Sequence, residues 1–172
     1  MKISPIKQRD ANACGPTCVE MVLKYFNIPH SVKQITTVTD YKKEGGMYNK
    51  QVVSTLQAFG LKTQCFKNTS WEKLKNLNDS SRVIVVSWML DGYIGHVSVV
   101  EKVDEKYIYL AEPTTGKVLK IEKLEFLRLW FDYEAKTPVP MYPEKNSDIQ
   151  LRWMVVVSQQ NTRIYRQRVL IL

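Results

Sequence analysis

The sequence lacks the compositional features that are typical of several large protein classes. Its 172 residues include only seven glycines and seven prolines, which excludes a collagenous or low-complexity chain. No apolar run approaches the roughly 18 residues that a membrane span needs. Residues 1–7, MKISPIK, lack the apolar stretch of a secretion signal. We therefore expect a cytoplasmic protein with no membrane span.

Cysteine and histidine are also scarce. Cys14, Cys18 and Cys65 cannot all pair with one another, and without a secretion signal free thiols in a reducing compartment are the better interpretation. His30 and His96 are the only histidines, and the sequence contains no CxxC pair that could supply two zinc ligands. The sequence thus predicts no metal, no cofactor and no disulfide.

Positive charge is in excess. Basic residues outnumber acidic ones by 25 to 17, for a formal net charge of +8. Half of this excess lies in residues 136–172, which carry six basic and two acidic side chains. A solvated basic surface without a partner is the first explanation, and the alternative is a surface for nucleic acid, anionic lipid, an acidic peptide or an unknown protein partner. No recognised nucleic-acid-binding motif accompanies the charge, so no nucleic-acid partner is expected.

Hydrophobic periodicity changes along the chain. In the first half apolar residues recur at helical spacing, as in Val19, Val22, Leu23 and Phe26. Short β-branched or aromatic runs separated by Asp, Gly and Pro follow in the second half. The predicted helices are 12–26, 31–38, 47–59, 70–77 and 124–131, the predicted strands are 61–67, 82–89, 95–103, 106–111, 117–121, 151–157 and 163–172, and loops are expected at 44–46 and 137–148.

This order of elements predicts an α+β fold, in which N-terminal helices pack on an antiparallel sheet. A hydrophobic share of 44% and a charged share of 24% are globular values, and the length suits one domain. We assign residues 1–135 to that domain. Residues 136–172 are a basic C-terminal extension with one or two strands, which we expect to pack on the same domain.

Cys14 is the first candidate for chemistry. It precedes Gly15-Pro16 at the start of an amphipathic helix, where unpaired N–H groups and the positive end of the helix dipole stabilise a thiolate. A thiolate is a nucleophile that needs only a base as its partner. The alternative is a buried, inert cysteine, which is the better interpretation of Cys18 one turn further along.

The base of such a pair has two candidates. His96 stands at the start of a predicted strand, just after a loop, where a side chain is held rigidly and still reaches a cleft. His30 follows Pro29 in the connection between two helices and is expected to be exposed. The sequence favours His96 as the base, with a half-buried strand histidine as the alternative.

A Cys–His pair also needs a group that orients the imidazole and donors for the oxyanion. Glu112 lies 16 residues after His96, at the end of the next strand, which would bring it level with His96. Gln8, six residues before Cys14, has an amide N–H suited to an oxyanion hole, and Asn12 is a second candidate. The fallback carboxylates for the orienting role are Asp91, Asp104 and Asp132.

These residues resemble a known family, the papain-like bacteriocin-processing cysteine peptidases. That family has Gln six residues before a Cys-Gly that begins a long helix, as in residues 8–18, QRDANACGPTC. The resemblance continues in the same order to residue 133, through Gly46, AFGL at 58–61, the strand at 83–88, GHVSVV at 95–100 and EPTTG at 112–116.

The resemblance implies a papain-like fold with Cys14 as nucleophile, His96 as general base and Gln8 as oxyanion donor. The third position of the triad is normally Asp before Pro, and here it matches Glu112, which is one methylene longer. Known members cut leader peptides after a double glycine, often as the N-terminal domain of an ABC exporter. This sequence contains no transporter segment and no P-loop, so we expect a stand-alone domain.

The sequence therefore predicts a cysteine peptidase that hydrolyses peptide bonds of a peptide or protein substrate through a Cys14 thioester, with His96 as general base. Two alternatives remain open at this point. A degenerate domain could bind a peptide or protein partner without cleaving it, which the departure at Glu112 favours. An acyltransferase could use the same Cys–His pair, because hydrolysis and transfer share the acyl-enzyme.

Overall fold

Helices come first along the chain and an antiparallel sheet second, which confirms the predicted α+β layout. The computed structural model describes residues 2–133 and 149–159. The helices are α1 (Cys14–Tyr25), α2 (Val32–Thr39), α3 (Tyr41–Glu44), α4 (Asn49–Ala58), α5 (Trp71–Leu77) and α6 (Lys123–Leu129). The strands are β1 (Leu61–Phe66), β2 (Val83–Leu90), β3 (Ile94–Val103), β4 (Tyr107–Glu112), β5 (Lys117–Glu122), β6 (Phe131–Tyr133), β7 (Ile149–Leu151) and β8 (Met154–Gln159).

Six of these strands form one sheet in the order β1-β8-β2-β3-β4-β5, and β6 pairs with β7 in a separate two-stranded ribbon. Every pairing is antiparallel. The last strand of the described residues, β8, therefore lies inside the sheet, between β1 and β2.

The sheet separates two hydrophobic cores. On one face, α1, α2 and α4 pack against side chains such as Val83, Val85 and Val99. On the other face, α5 and α6 cover Ile84 and Val86. Since both faces of β2 are buried, its residues form a continuous apolar run, which is why that strand was readable from the sequence.

Local capping explains two of the helix boundaries. The Ser31 hydroxyl accepts from the Gln34 N–H at 3.2 Å, and the Gln34 side chain accepts from the Ser31 N–H at 2.8 Å, so a capping box starts α2 as predicted. No side chain caps α1, which begins at Cys14 itself. The N–H groups in the first turn of α1 are thus not occupied by a capping side chain and can interact with a group beside Cys14.

The structure corrects three predicted boundaries. The predicted strand 151–157 is two strands, because Arg152 adopts a φ of +48° and its N–H donates to the Trp130 carbonyl at 2.9 Å. The predicted helix 124–131 ends at Leu129, and β6 follows it. A short helix, α3, precedes the expected loop at 44–46.

The predicted extension at 136–172 is described only in part. Of its residues, 149–159 form β7 and β8. The predicted loop at 137–148 and the predicted strand at 163–172 lie outside the described residues. Arg152 is the one basic residue of the extension that falls within the described part. None of the helices in residues 2–133 and 149–159 is both long and apolar enough to cross a membrane.

Candidate active site

Cys14 is the first residue of α1 and is half-buried. The first turn of the helix contains no acidic side chain that would compete with a thiolate for the N-terminal N–H groups. Gly15 allows the segment before α4 to pass close to this turn, since an added Cβ would lie 2.8 Å from both Cβ and Sδ of Met47. The first turn of α1 and the Met47 side chain are thus tightly packed against each other.

His96 lies near the start of β3 and is 4% exposed. One ring nitrogen, Nε2, is 2.8 Å from Oε1 of Glu112, and the Cys14 side chain is near enough to raise the pKa of the ring. Trp88 stands opposite His96 on β2, with its ring edge-on at a centroid distance of 5.8 Å. The imidazole therefore has both a carboxylate and a thiol in its surroundings.

The surroundings of His96 favour its charged form. Burial alone would lower the pKa of His96, but the hydrogen bonds and charges of Cys14 and Glu112 outweigh burial and raise the pKa to about 9. At neutral pH the ring is then an imidazolium. An imidazolium beside the Cys14 sulfur stabilises a thiolate and can later donate a proton.

Glu112 is 1% exposed and has donors at both oxygens. Oε1 accepts from His96, from the Thr114 N–H at 2.9 Å and from the Thr114 hydroxyl at 2.8 Å, while Oε2 accepts from the Ser98 hydroxyl at 2.6 Å. Burial would raise the pKa of Glu112, but the bonds from His96, Ser98 and Thr114 outweigh it and lower the pKa below its usual range. The carboxyl group is thus ionised beside the imidazolium.

The register of the sheet shows how the longer side chain fits. The last pair between β3 and β4 is Val99 with Ala111, so Glu112 lies level with Ser98 and not, as predicted, with His96. His96 is two residues away on the same face of β3. The Glu112 side chain reaches it diagonally across the sheet, a span for which the extra methylene of Glu is suited.

Gln8 lies beside this group of residues through its backbone. Its N–H donates to the Pro113 carbonyl at 2.7 Å, directly after Glu112. Its side-chain Nε2 donates to the carbonyls of Asp10 at 2.8 Å and Ala11 at 3.3 Å, within the loop that leads to Cys14. To act as an oxyanion donor, Nε2 would have to give up the longer of these two hydrogen bonds, to the Ala11 carbonyl, and donate to the oxyanion instead.

The other candidates lie elsewhere or have other partners. Asn12 is exposed, and its N–H donates to Asp10 at 3.0 Å. His30 lies in the connection between α1 and α2, where Nδ1 is 2.7 Å from the Ile28 carbonyl. The three fallback carboxylates have other positions or partners than Glu112 does. Asp91 lies in the β2–β3 turn with a φ of +55°. Asp104 accepts from the N–H groups of Lys106 and Tyr107, and Asp132 accepts from Ser87.

Cys18 lies one turn below Cys14 and is fully buried. Its thiol donates to the Val97 carbonyl at 3.3 Å. Burial, with Cys14 and Glu112 nearby, raises the pKa of the Cys18 thiol well above its usual value. These surroundings keep Cys18 a neutral core residue, in agreement with the inert role expected for it.

Three residues at the site escaped the sequence analysis: Trp88, Ser98 and Thr114. The signal for Ser98 was its position two residues after His96, on the same face of the strand. Thr114 follows Glu112 in the turn, where a hydroxyl commonly bonds a carboxylate two residues back. Within residues 2–133 and 149–159, no three or more His, Cys, Asp or Glu side chains come together as a metal site.

Comparison with known proteins identifies the family of this arrangement. The profile of the Peptidase C39 family matches residues 2–135, which is most of the chain. The chain belongs to the peptidase C39 family. This confirms the family resemblance drawn from residues 8–18, 95–100 and 112–116, and it supports a cysteine peptidase.

Curated C39 relatives are larger proteins. The chain is 21% identical over 145 residues to the SPbeta prophage-derived sublancin-168-processing and transport ATP-binding protein SunT of Bacillus subtilis (strain 168), a match that covers 83% of this chain and 20% of the relative. It is 23% identical over 145 residues to the lactococcin-G-processing and transport ATP-binding protein LagD of Lactococcus lactis subsp. lactis, covering 83% of this chain and 19% of the relative. The chain thus spans about a fifth of the length of these relatives.

Solved structures share the C39 fold. A double-glycine-motif protease from an AMS/PCAT transporter, in complex with its leader peptide, superposes with a TM-score of 0.68 at 20% identity, covering 92% of this chain and 93% of that one. The peptidase domain of Streptococcus ComA superposes with a TM-score of 0.69 at 17% identity, covering 92% and 100% of the two chains. The predicted papain-like fold is confirmed.

Proposed function

We propose that this C39 domain is a cysteine peptidase in which Cys14 attacks the carbonyl carbon of a peptide bond and His96 transfers the protons. The observation that carries the proposal is the buried His96 ring, whose Nε2 lies 2.8 Å from Oε1 of Glu112 and whose pKa the Cys14 and Glu112 side chains raise to about 9. A histidine with a merely structural role has no need of a thiol on one side and an ionised carboxylate on the other.

The first half of the reaction forms an acyl-enzyme. The Cys14 thiolate attacks the carbonyl carbon, and the carbonyl oxygen becomes an oxyanion. Its donors would be the backbone N–H of Cys14 at the start of α1 and the Gln8 amide, once Nε2 releases the Ala11 carbonyl. When the C–N bond breaks, the His96 imidazolium gives its proton to the departing amine and a Cys14 thioester remains.

The second half of the reaction restores the enzyme. Neutral His96 takes a proton from a water molecule, which attacks the thioester carbonyl. Collapse of the second tetrahedral intermediate breaks the C–S bond, releases the carboxylic acid and returns the Cys14 thiolate beside the imidazolium. Glu112 keeps the ring in position and stabilises its positive charge throughout.

The relatives suggest the class of substrate. Their names describe processing of sublancin-168 and lactococcin-G, and one solved structure is a double-glycine-motif protease with its leader peptide. We propose that the substrate is a peptide with a leader segment that is cut after two small residues.

The experiment compares four variants on a panel of leader peptides with Gly-Gly, Ala-Ala or Leu-Leu before the cut bond. Cys14→Ala and His96→Ala are expected to abolish cleavage. Cys65→Ala and His30→Ala are matched controls, which remove the same functional groups from outside the site and are expected to cleave like the parent. Mass spectrometry of the products gives the cut position.

Two results would contradict the proposal. Cleavage that survives in both Cys14→Ala and His96→Ala would remove these residues from the chemistry. A parent that binds the peptides with no product and no Cys14 acyl-enzyme would point to a domain that only binds. Addition of a primary amine distinguishes acyl transfer, because a transferase would yield the amide in place of the acid.

A further inference from the structure

The second oxygen of Glu112 has a donor of its own. Oε1 accepts the bonds from His96 and Thr114, whereas Oε2 accepts from the Ser98 hydroxyl, at 2.6 Å. Ser98 Oγ in turn accepts from Nε1 of Trp88 at 3.0 Å. Trp88 also contacts the His96 ring, so the same indole touches both Ser98 and His96.

These residues share one face of three neighbouring strands. Trp88 lies on β2, opposite His96 on β3, and Ser98 and Glu112 are level with each other on β3 and β4. Each of the four side chains is at most 4% exposed. The chain of contacts from Trp88 to His96 is therefore built on paired strands and shielded from water, which makes its geometry rigid.

The chemistry of the donors fixes the direction of each bond. The indole N–H can only donate, so Ser98 Oγ must be the acceptor in that contact. The single hydroxyl hydrogen of Ser98 is then free to point at Oε2 of Glu112, and it bonds an ionised carboxylate more strongly than a neutral acid. The Trp88–Ser98 pair thus favours the ionised form of Glu112 and one orientation of its carboxylate.

We propose that Ser98, with its hydroxyl oriented by Trp88, is a positioning residue that holds Oε2 of Glu112 and thereby aims Oε1 at His96. The proposal rests on the function assigned above to Cys14 and His96. A glutamate has one more rotatable bond than an aspartate, and that bond must be fixed before the carboxylate can orient a ring two residues away from its own register position. Ser98 supplies the second anchor that fixes it.

The experiment uses four variants of the full chain. Ser98→Ala removes the donor, Trp88→Phe removes the indole N–H and keeps a smaller aromatic ring, and Ser98→Thr retains a hydroxyl. Ser87→Ala is the matched control: Ser87 is also fully buried, lies on the adjoining strand, and donates to Asp132 instead of Glu112. Circular dichroism first establishes that each variant is folded.

The principal readout is a histidine titration that needs no substrate. Because the chain contains only His30 and His96, selective ¹³C labelling of histidine gives two resonances, one of which serves as the internal reference. The His96 resonance reports the protonation of its neighbour Glu112 as an inflection on the acid side. The second readout is the pH profile of Cys14 alkylation by iodoacetamide.

In Ser98→Ala we expect the acid-side inflection and the acid limb of alkylation to move to higher pH, on the order of one pH unit, because Glu112 has lost a charge-assisted hydrogen bond. Trp88→Phe should shift both in the same direction by less. Ser98→Thr should restore the parent profile and Ser87→Ala should leave it unchanged. Peptide cleavage by Ser98→Ala should show a kcat lowered on the order of tenfold at constant KM.

The proposal is overturned if Ser98→Ala titrates like the parent, or if Ser87→Ala shifts as far as Ser98→Ala does. These outcomes are separate from failure of the proposed function. A parent that fails to cleave any peptide would contradict the peptidase, while the His96 titration would still decide whether Ser98 holds Glu112.

Discussion

At the scale of single residues, the Glu112 side chain is charged, long enough to reach His96, and fixed in position by hydrogen bonds. Its carboxylate is ionised although it is buried, because His96, Ser98 and Thr114 together provide four hydrogen bonds. Its length spans the diagonal from its register position to the His96 ring. A change of charge and a change of length at this position therefore have different consequences.

Glu112→Gln keeps the shape and removes the charge. We expect peptide cleavage to fall on the order of 100-fold, because the imidazolium loses the carboxylate that stabilises it. Glu112→Asp keeps the charge but cannot reach both His96 and Ser98, so a smaller loss is expected. Steady-state kinetics on one peptide measure both effects, with thermal denaturation as the control for folding. Activity of Glu112→Ala equal to that of the parent would show that another group orients His96.

The pH dependence of cleavage follows from His96. Its pKa is raised to about 9, so the ring is protonated below that pH and loses its proton above it. Since the imidazolium stabilises the thiolate and protonates the leaving amine, kcat/KM should fall as the pH rises through about 9. In Glu112→Gln this fall in kcat/KM should occur at lower pH. A rate that is still rising at pH 10 would contradict this assignment.

At the scale of elements, the segment before α1 is seated on the turn between β4 and β5. Gly116 in that turn has a φ of +66°, and an added Cβ would lie 2.8 Å from Cβ and 2.9 Å from N of Lys7. The next residue, Gln8, donates its N–H to Pro113 at 2.7 Å. The turn that follows Glu112 thus also sets the position of Gln8.

Gly116→Ala tests this seating. The left-handed backbone should cost about 1–2 kcal/mol of the free energy of unfolding, and the clash with Lys7 should displace Gln8. We expect the rate of cleavage to fall by up to ~100-fold, because Gln8, the proposed oxyanion donor, is misplaced. Gly60→Ala is the matched control: its φ is +81° and no atom lies within 4 Å of the added Cβ. It should lose similar stability and keep its activity, and equal losses of activity in both variants would argue against the seating.

The elements differ in how far sequence could predict them. The helices α1 and α2 were predictable because their starting residues, Cys14-Gly15-Pro16 and Ser31, act locally. The break at Arg152 was not, since it depends on a bond to the distant Trp130 carbonyl. The candidate residues Cys14, His96, Glu112 and Gln8 could be proposed from residue type and order, but the diagonal reach of Glu112 depends on the register between β3 and β4, which sequence does not reveal.

At the scale of the whole molecule, the sheet is completed by a strand outside the family match. The match ends at residue 135, yet β8 lies between β1 and β2. Its residues contribute to both cores: Val155 and Val157 face the α1 side, and Met154 and Val156 face the α6 side. The matched region alone therefore lacks the strand that joins β1 to the other strands of the sheet.

A chain ended after residue 135 should fail to fold. Burial of the β8 side chains contributes about 1.5–3 kcal/mol each, and their sum is comparable to the whole stability of a domain. A chain ended after residue 159 keeps every strand named here and should fold. Circular dichroism and the cooperativity of urea unfolding compare the two. A cooperative transition in the shorter chain would show that β1 and β2 find another way to pair.

The separation of Cys14 and His96 on two layers of the molecule has a consequence for biosynthesis. The helix that bears the proposed nucleophile leaves the ribosome first, and the proposed base follows 82 residues later, at synthesis rates of about 5–20 residues per second. Until β3 and β4 have paired beneath α1, the thiol lacks the partner that the proposed mechanism assigns to it. A peptidase of this design would therefore be latent while it is being made, and its own strands would be paired within the sheet by the time the thiol is activated.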